Sequence, residues 1–153
     1  MEESRILVSF SLGEEQYGID TQYIEVVTEP MKIFRVPCVP EYIMGVINLR
    51  GEIISIIDLK EFFALPQGAV DDRARIIVVK YGNIKVGFFV DFVWGITNVP
   101  LSSIQAPLST IERVKTDYID GEAHVNDKLL GVLNLESIMT AEERIRTGNQ
   151  NEA

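Results

Sequence analysis

The chain repeats itself, and the repeat limits the folds open to it. RILVSFSLGEEQYG, Arg5 to Gly18, returns as RIIVVKYGNIKVG, Arg75 to Gly87, at an offset of 70 with one residue dropped in the turn. The match continues at an offset of 69, where Gly18, Ile24 and Val27 correspond to Gly87, Val93 and Ile96. A third block pairs IISIIDLKEFF, Ile53 to Phe63, with LLGVLNLESIM, Leu129 to Met139, at an offset of 76. Three matches in one order describe two copies of a unit of about 70 residues. A unit of that size is marginal alone, so each copy is expected to bury a face against its twin.

The unit is built of strands. In Arg5 to Leu12, Ile6, Val8, Phe10 and Leu12 share one face and Ser9 and Ser11 the other, which is the period of a half-buried strand. Gly13-Glu14-Glu15 then turns into a second strand, Gln16 to Ile19. Ile76 to Val79 leads through Gly82-Asn83 into Lys85 to Val90, a two-residue hairpin signal, and His124 to Leu129 reads as another tight hairpin. Helical pattern is confined to short segments and a polar stretch from about Ser137 to Arg146. Short strands at regular spacing predict an all-β fold of small barrels or sandwiches.

Composition removes several function classes. A net charge of −9 without a Lys/Arg cluster argues against nucleic acid. No secretory leader is present, nor any apolar run near the ~20 residues of a membrane span, so a soluble intracellular protein is expected, with no membrane insertion. The single cysteine, Cys38, forms no internal disulfide and no cysteine-based metal cluster; between two prolines it is expected to be buried filler. No phosphate loop, dinucleotide fingerprint or nucleophile elbow occurs, and no cofactor or metal is expected. His124 reads as a solvated strand residue, and Trp94 as a packing residue with an interface role as the alternative.

Two carboxylates at strand ends, Asp58 and Asp91, suggest acid–base chemistry at first sight. The repeat argues otherwise. Asp58-Leu59-Lys60-Glu61 is a helix-capping arrangement, with Glu61 expected to reach back, and the twin of Asp58 is Asn134. Asp and Asn are equivalent as cap acceptors and not as proton carriers. Asp91 aligns with Gln22, again no acid, and is expected to be structural.

Arg50 interrupts one of the most apolar stretches of the chain, VINLRGEIISIIDL. An unpaired buried guanidinium is prohibitively costly, so Arg50 must reach a polar surface or find a carboxylate. Asn48 and Arg50 share strand parity and are expected on one face, with Gly51 allowing a bend or a close approach. The result is a cationic point rimmed by apolar surface, as in a partner-binding groove.

The motif P-x-Y-I-x-G-V-x-N-L-R-G-x-I-x-x-x-x-D-L, present from Pro40 to Leu59, resembles the signature of the CheW-like family of bacterial chemotaxis coupling proteins. Phe10 to Asp20, Val86 to Val93, Tyr118 to Gly121 and the closing LLGVLNLESIM fit the same family, so the likeness runs from about residue 5 to 140. The resemblance implies two five-stranded SH3-like barrels packed together, with short helices and a C-terminal helix. It sets barrel subdomains at 5–70 and 71–140, with strands free to cross between them, and a polar tail at 141–153.

The resemblance also implies a scaffold and no catalysis; the alternative is a β-barrel module that binds a peptide or small molecule outside chemosensory signalling. The scaffold's partners would be the histidine kinase CheA, through a regulatory domain of the same fold, and the cytoplasmic tips of chemoreceptors, on membrane-associated arrays. The receptor helix would lie in a groove between the barrels, with Ile24, Val27, Asn48, Arg50, Gly51, Val93 and Ile96 as the groove residues. No kinase-contact residue is assigned. No receiver, ATP-binding or phospho-accepting segment accompanies the barrels, which points to the stand-alone coupler. Two departures stand out: the family usually reads V-x-E-V or V-x-E-I where this chain has Ile24-Glu25-Val26-Val27, and it tends to carry an acid where Gly95 stands. Arg50 is therefore expected to pair with Glu25 or Glu29, or to stay free for the partner.

Overall fold

The structure, a computed structural model, describes residues 3–106, 116–125 and 127–151. Ten strands dominate it: β1 Ser4–Leu12, β2 Glu15–Asp20, β3 Ile24–Thr28, β4 Ile43–Leu49, β5 Glu52–Asp58, β6 Arg75–Tyr81, β7 Ile84–Val90, β8 Phe92–Pro100, β9 Ile119–Val125 and β10 Lys128–Leu133. Two helices, α1 Leu59–Phe62 and α2 Leu135–Asn151, follow β5 and β10. The strands form two five-stranded sheets, in the orders β8-β1-β2-β10-β9 and β3-β6-β7-β5-β4. Each sheet is SH3-like, although neither closes into a full barrel.

The two orders become identical when β1 is equated with β6, β2 with β7, and so on through β5 with β10. Each sheet therefore takes its central hairpin from one copy of the repeat and its other three strands from the other. A cut at residue 70 does not separate the sheets, because the hairpins β1–β2 and β6–β7 have changed places.

Hydrogen-bond register refines the alignment of the copies. Ser9 faces Gly18 and Val78 faces Gly87, while Leu12 meets Glu15 and Tyr81 meets Ile84. Both hairpins thus have two-residue loops opened by a glycine of positive φ, Gly13 at 63° and Gly82 at 61°. The offset is 69 throughout, no residue is dropped in the turn, and the structural twin of Arg5 is Ala74 and not Arg75. Matching arginine to arginine misleads by one step, whereas the ladder fixes which face each residue takes. Arg5 instead joins three strands, forming ion pairs with Asp20 on β2 and, at 2.9 Å, with Asp120 on β9, whose carboxylate also accepts from Asn134.

Packing shows why neither copy stands alone. Each sheet encloses a small cluster of its own, Leu7, Val99, Ala123, Leu130 and Val132 in one, and Ile47, Ile54, Ile56, Ile76 and Val78 in the other. The main core lies between the sheets: twenty buried side chains, among them Phe10, Tyr17 and Ile19 from one sheet and Ile77, Val79 and Phe88 from the other. At about 1.5–3 kcal/mol for each fully buried large apolar side chain, that shared layer outweighs the two sheet interiors together.

The edges of the sheets are partly covered. Phe34 bridges to Val46 beside β4, and Gln105 bridges to Glu122 beside β9, again equivalent places. Glycine makes both approaches possible, since a Cβ on Gly45 would lie 2.3 Å from the Phe34 carbonyl oxygen and one on Gly121 would lie 2.4 Å from that of Gln105. The segment leading to β4 carries Cys38 at φ 62° in an exposed turn, so the expectation of a buried cysteine is wrong. Flanking prolines lack the N–H that a strand ladder needs, and the chain turns outward there.

The helix starts are alike and their ends are not. The Asp58 carboxylate accepts from the N–H groups of Lys60 and Glu61, and the Asn134 side chain accepts from Ser137. Glu61 does not reach back to close a capping box, because the Asp58 N–H already donates to the Tyr42 carbonyl; Glu61 accepts from Gln67 instead. Its twin does the same, Asn134 donating to Tyr118. The polar tail from 141 is largely helical in the structure, with Ala141 and Glu142 buried, while residues 152–153 of it lie outside the described residues. By contrast α1 stops after one turn, where Leu65 donates to the Lys60 carbonyl and Ala64 to that of Glu61, with Ala64 left-handed at φ 57°. This is the paired-bond helix stop that usually employs glycine. Ala64→Gly is expected to raise stability by up to about 1 kcal/mol, the cost of a left-handed alanine less the added freedom of glycine when unfolded. Urea denaturation checks the sign.

Candidate functional site

Ile24 and Val27 are three residues apart, as are Val93 and Ile96. On a regular strand such pairs point to opposite faces. Both strands break register at this place: β3 pairs Ile24 with Val79 but Val26 with Val78, and β8 pairs Val93 with Phe10 but Gly95 with Ser9. Each bulge adds one residue, Glu25 in β3 and Trp94 in β8, and so returns both members of each apolar pair to one face. That face is the one carrying Val79, Ile77, Phe10 and Val8, all of the shared core.

The four side chains accordingly meet at the rim of that core. With Val8, Thr21 and Gly95 they line an open groove of about 330 Å3. Ile96 is 73% exposed and Val27 37%, an unusual cost for two aliphatic residues of a folded chain. No atom lies within 4 Å of the Cβ position of Gly95, so the groove stays open beside it. The groove belongs to neither copy alone, since β3 lies at the edge of one sheet and β8 at the edge of the other.

Asn48, Arg50 and Gly51 do not line this groove. Arg50 and Gly51 form the two-residue turn between β4 and β5, with φ of 52° and 87°, and Asn48 accepts from the Gly51 N–H at 3.0 Å. Two successive positive φ values make this the mirror-image turn that suits a hairpin, so Arg50 does not continue the parity of Asn48. Asp127, the twin of Gly51, also has positive φ, at 64°; Asn126, its neighbour in the expected second hairpin, lies outside the described residues. Arg50 is exposed, and among the described residues it forms no ion pair.

Of the two acids expected as partners, Glu25 is occupied elsewhere, and among the described residues Glu29 forms no ion pair with Arg50. Lys85 bridges Glu25 and Glu52, both at 3.0 Å, and the two carboxylates hold its ammonium above the usual lysine range. This three-charge chain ties the bulge of the groove strand β3 to the start of β5, next to the Arg50 turn. The turn and the groove are therefore joined through the same end of the sheet.

The remaining candidates have structural roles. Asp91 pairs with the Lys60 ammonium at 2.8 Å and accepts from the Gly13 N–H at 2.7 Å. Asp58 caps α1 and accepts from Gln67. Trp94 is half exposed: its indole N–H donates to Ser11 and Lys128 lies over its ring. His124 is exposed on β9. Among the described residues no group of three or more His, Cys, Asp or Glu is arranged to hold a metal ion, and no helix is long and apolar enough to cross a membrane. Asp58→Asn is expected to change stability by less than about 0.5 kcal/mol, because asparagine caps equally well. Asp91→Asn strands a buried ammonium and is expected to cost about 2 kcal/mol, below the 3–5 of a fully buried pair because Asp91 touches solvent. Denaturant melts of both variants separate a cap from an ion-pair partner.

Comparison with known proteins agrees with this architecture. The family model described as the CheW-like domain matches residues 7–143. The chain is 30% identical over 140 residues to the chemotaxis protein CheW of Klebsiella aerogenes, covering 92% of this chain and 84% of that one. It is 29% identical over 147 residues to the CheW of Treponema pallidum, covering 94% and 86%. In three dimensions it is similar to the crystal structure of the scaffolding protein TtCheW from Thermoanaerobacter tengcongensis, with a TM-score of 0.80, 34% identity, and 88% and 87% of the two chains covered. With the match running through both copies of the repeat and both groove strands, the chain belongs to the CheW-like family.

Proposed function

We propose that this chain is a chemotaxis signalling scaffold that couples chemoreceptor cytoplasmic tips to the histidine kinase CheA and supports array assembly. The observation that carries the reading is the groove at the joint of the sheets, with Ile24 and Val27 on one bank and Val93 and Ile96 on the other. A receptor tip is a helical hairpin, and an amphipathic helix buries its apolar face in a groove of this kind. Burial of Ile96 and Val27 on binding recovers stabilisation that the free chain forgoes by exposing them.

Arg50 adds selectivity in this reading. A guanidinium on an exposed turn, without an ion pair among the described residues, is available to a carboxylate on the incoming helix at little desolvation cost. The kinase would be met by a domain of the same fold, docking edge to edge. Such head-to-tail contacts close into rings or extend as arrays. The chain works by binding: Asp58 and Asp91 are engaged as a cap and an ion-pair partner, which supports a non-catalytic role. Its place is the cytoplasm, recruited to receptor arrays beneath the membrane.

Reconstitution with receptor and CheA tests this directly: kinase autophosphorylation under receptor control is expected only when the chain is added. Ile96→Asp and Arg50→Glu, both at exposed positions, are expected to lower receptor capture at least about tenfold, equivalent to 1.4 kcal/mol, without change in thermal stability. Unchanged capture by Ile96→Asp refutes the groove assignment, and unchanged capture by Arg50→Glu refutes the role given to Arg50.

A further inference from the structure

The two sheets differ in charge at one pair of equivalent places. On the side of its sheet that holds Ile54 and Ile56, the Glu25–Lys85–Glu52 chain runs from β3 through β7 to β5. By the offsets of 69 and 76, the residues in the same positions of the other sheet are Trp94, Gln16 and Lys128. The registers agree, since Leu49 faces Glu52 as Val125 faces Lys128, and Ser55 faces Val86 as Gly131 faces Tyr17. Two anions about a cation have thus become one cation beside an amide and an indole. No ion chain closes there, and among the described residues Lys128 forms no ion pair.

In place of the chain is a recess of about 170 Å3, where Ser9, Thr97 and Leu130 complete the walls. It opens on the far side of β1 and β8 from the groove, because Ser9 and Thr97 alternate along those strands with the groove residues Val8 and Ile96. The Lys128 ammonium lies 5.1 Å from the Trp94 ring centroid. The indole N–H donates to Ser11 and the Ser9 hydroxyl to the Gly95 carbonyl, which leaves Lys128, Gln16 and Thr97 to supply donors. Size and charge select the occupant. The volume is below the roughly 300–1,000 Å3 of small-molecule and cofactor sites and suits a single side chain. No carboxylate lines it, in a chain of net charge −9, whereas in the twin place two carboxylates hold the lysine at 3.0 Å. A lysine in open solvent holds an acid weakly; walls of indole and Leu130 keep water from part of the contact and strengthen it.

We propose that this recess receives a glutamate or aspartate side chain of a partner protein, paired with Lys128 against Trp94. The partner supplies what Glu25 and Glu52 supply from within the chain on the other half. The site is separate from the groove of Ile24, Val27, Val93 and Ile96, and it does not depend on the coupling role.

Trp94 is the only tryptophan, so its indole N–H gives a single NMR resonance of the isotope-labelled full chain and reports occupancy. The probe is N-acetylglutamate amide, titrated at constant ionic strength, with N-acetylglutamine amide as its neutral counterpart. The glutamate compound is expected to shift the indole resonance to saturation in the millimolar range, and the glutamine compound to leave it in place. Lys128→Gln, at an exposed position that leaves the fold intact, is expected to weaken binding at least about tenfold. Lys80→Gln removes a cation elsewhere on the surface and is expected to leave binding unchanged. The proposal is overturned by the absence of a saturable shift, by an equal response to the glutamine compound, or by a response that survives Lys128→Gln.

Discussion

The exchange of hairpins between the two copies of the repeat is the constraint on which the rest of the molecule depends. Because β1–β2 sits in the sheet of β8 to β10, and β6–β7 in that of β3 to β5, neither copy can complete a sheet from its own strands. The largest apolar layer follows from the same exchange. Its twenty side chains come from both sheets, both helices and the connecting residues Tyr42, Phe63 and Leu65, so the sheet interiors, with five buried residues each, are the lesser part of the core. Arg5 reinforces the interlock by joining β1 and β2 of the first copy to β9 of the second through Asp20 and Asp120.

The proposed function follows from what the shared layer leaves uncovered. Where β3 and β8 reach its rim, a one-residue bulge in each strand directs two aliphatic side chains into the joint. Without the bulges Val27 and Ile96 would turn to the opposite faces, and the joint would lose half its apolar surface. The extra residues are not idle: Glu25 enters the Lys85 ion chain and Trp94 bonds to Ser11. A duplicated unit thereby makes one two-banked groove from two similar edges.

Much of this is legible in the sequence, for identifiable reasons. Period-two alternation marks β1, the Gly82-Asn83 turn between apolar runs marks the hairpin of β6 and β7, and the correspondence of Ile24 with Val93 and of Val27 with Ile96 points to one site without coordinates, because the repeat preserves spacing. Exchange of the hairpins is not legible, since a sequence repeat records which segments are alike and not which of them pair. Strand parity misplaces Arg50 because Arg-Gly lacks the familiar turn signal of Asn-Gly; the positive φ of both residues, stabilised by Asn48, is a property of the folded hairpin. The Glu25–Lys85 pair is hidden because it depends on which strands lie side by side, and the exposure of Cys38 because apolar neighbours suggest burial where two prolines compel a turn.

The central claim is that a foreign helix lies in the joint between the sheets, in contact with both banks. Disulfide crosslinking addresses it most directly, with Cys38→Ser removing the exposed native thiol and single cysteines placed at Val27, at Ile96 and, on a surface remote from the joint in sequence and sheet position, at His124. Mixed with a receptor tip carrying one cysteine on its helical hairpin, the Val27 and Ile96 positions are predicted to crosslink to the same short helical segment, and the His124 position is not. Crosslinking at His124 alone, or at neither bank of the joint, would contradict the account.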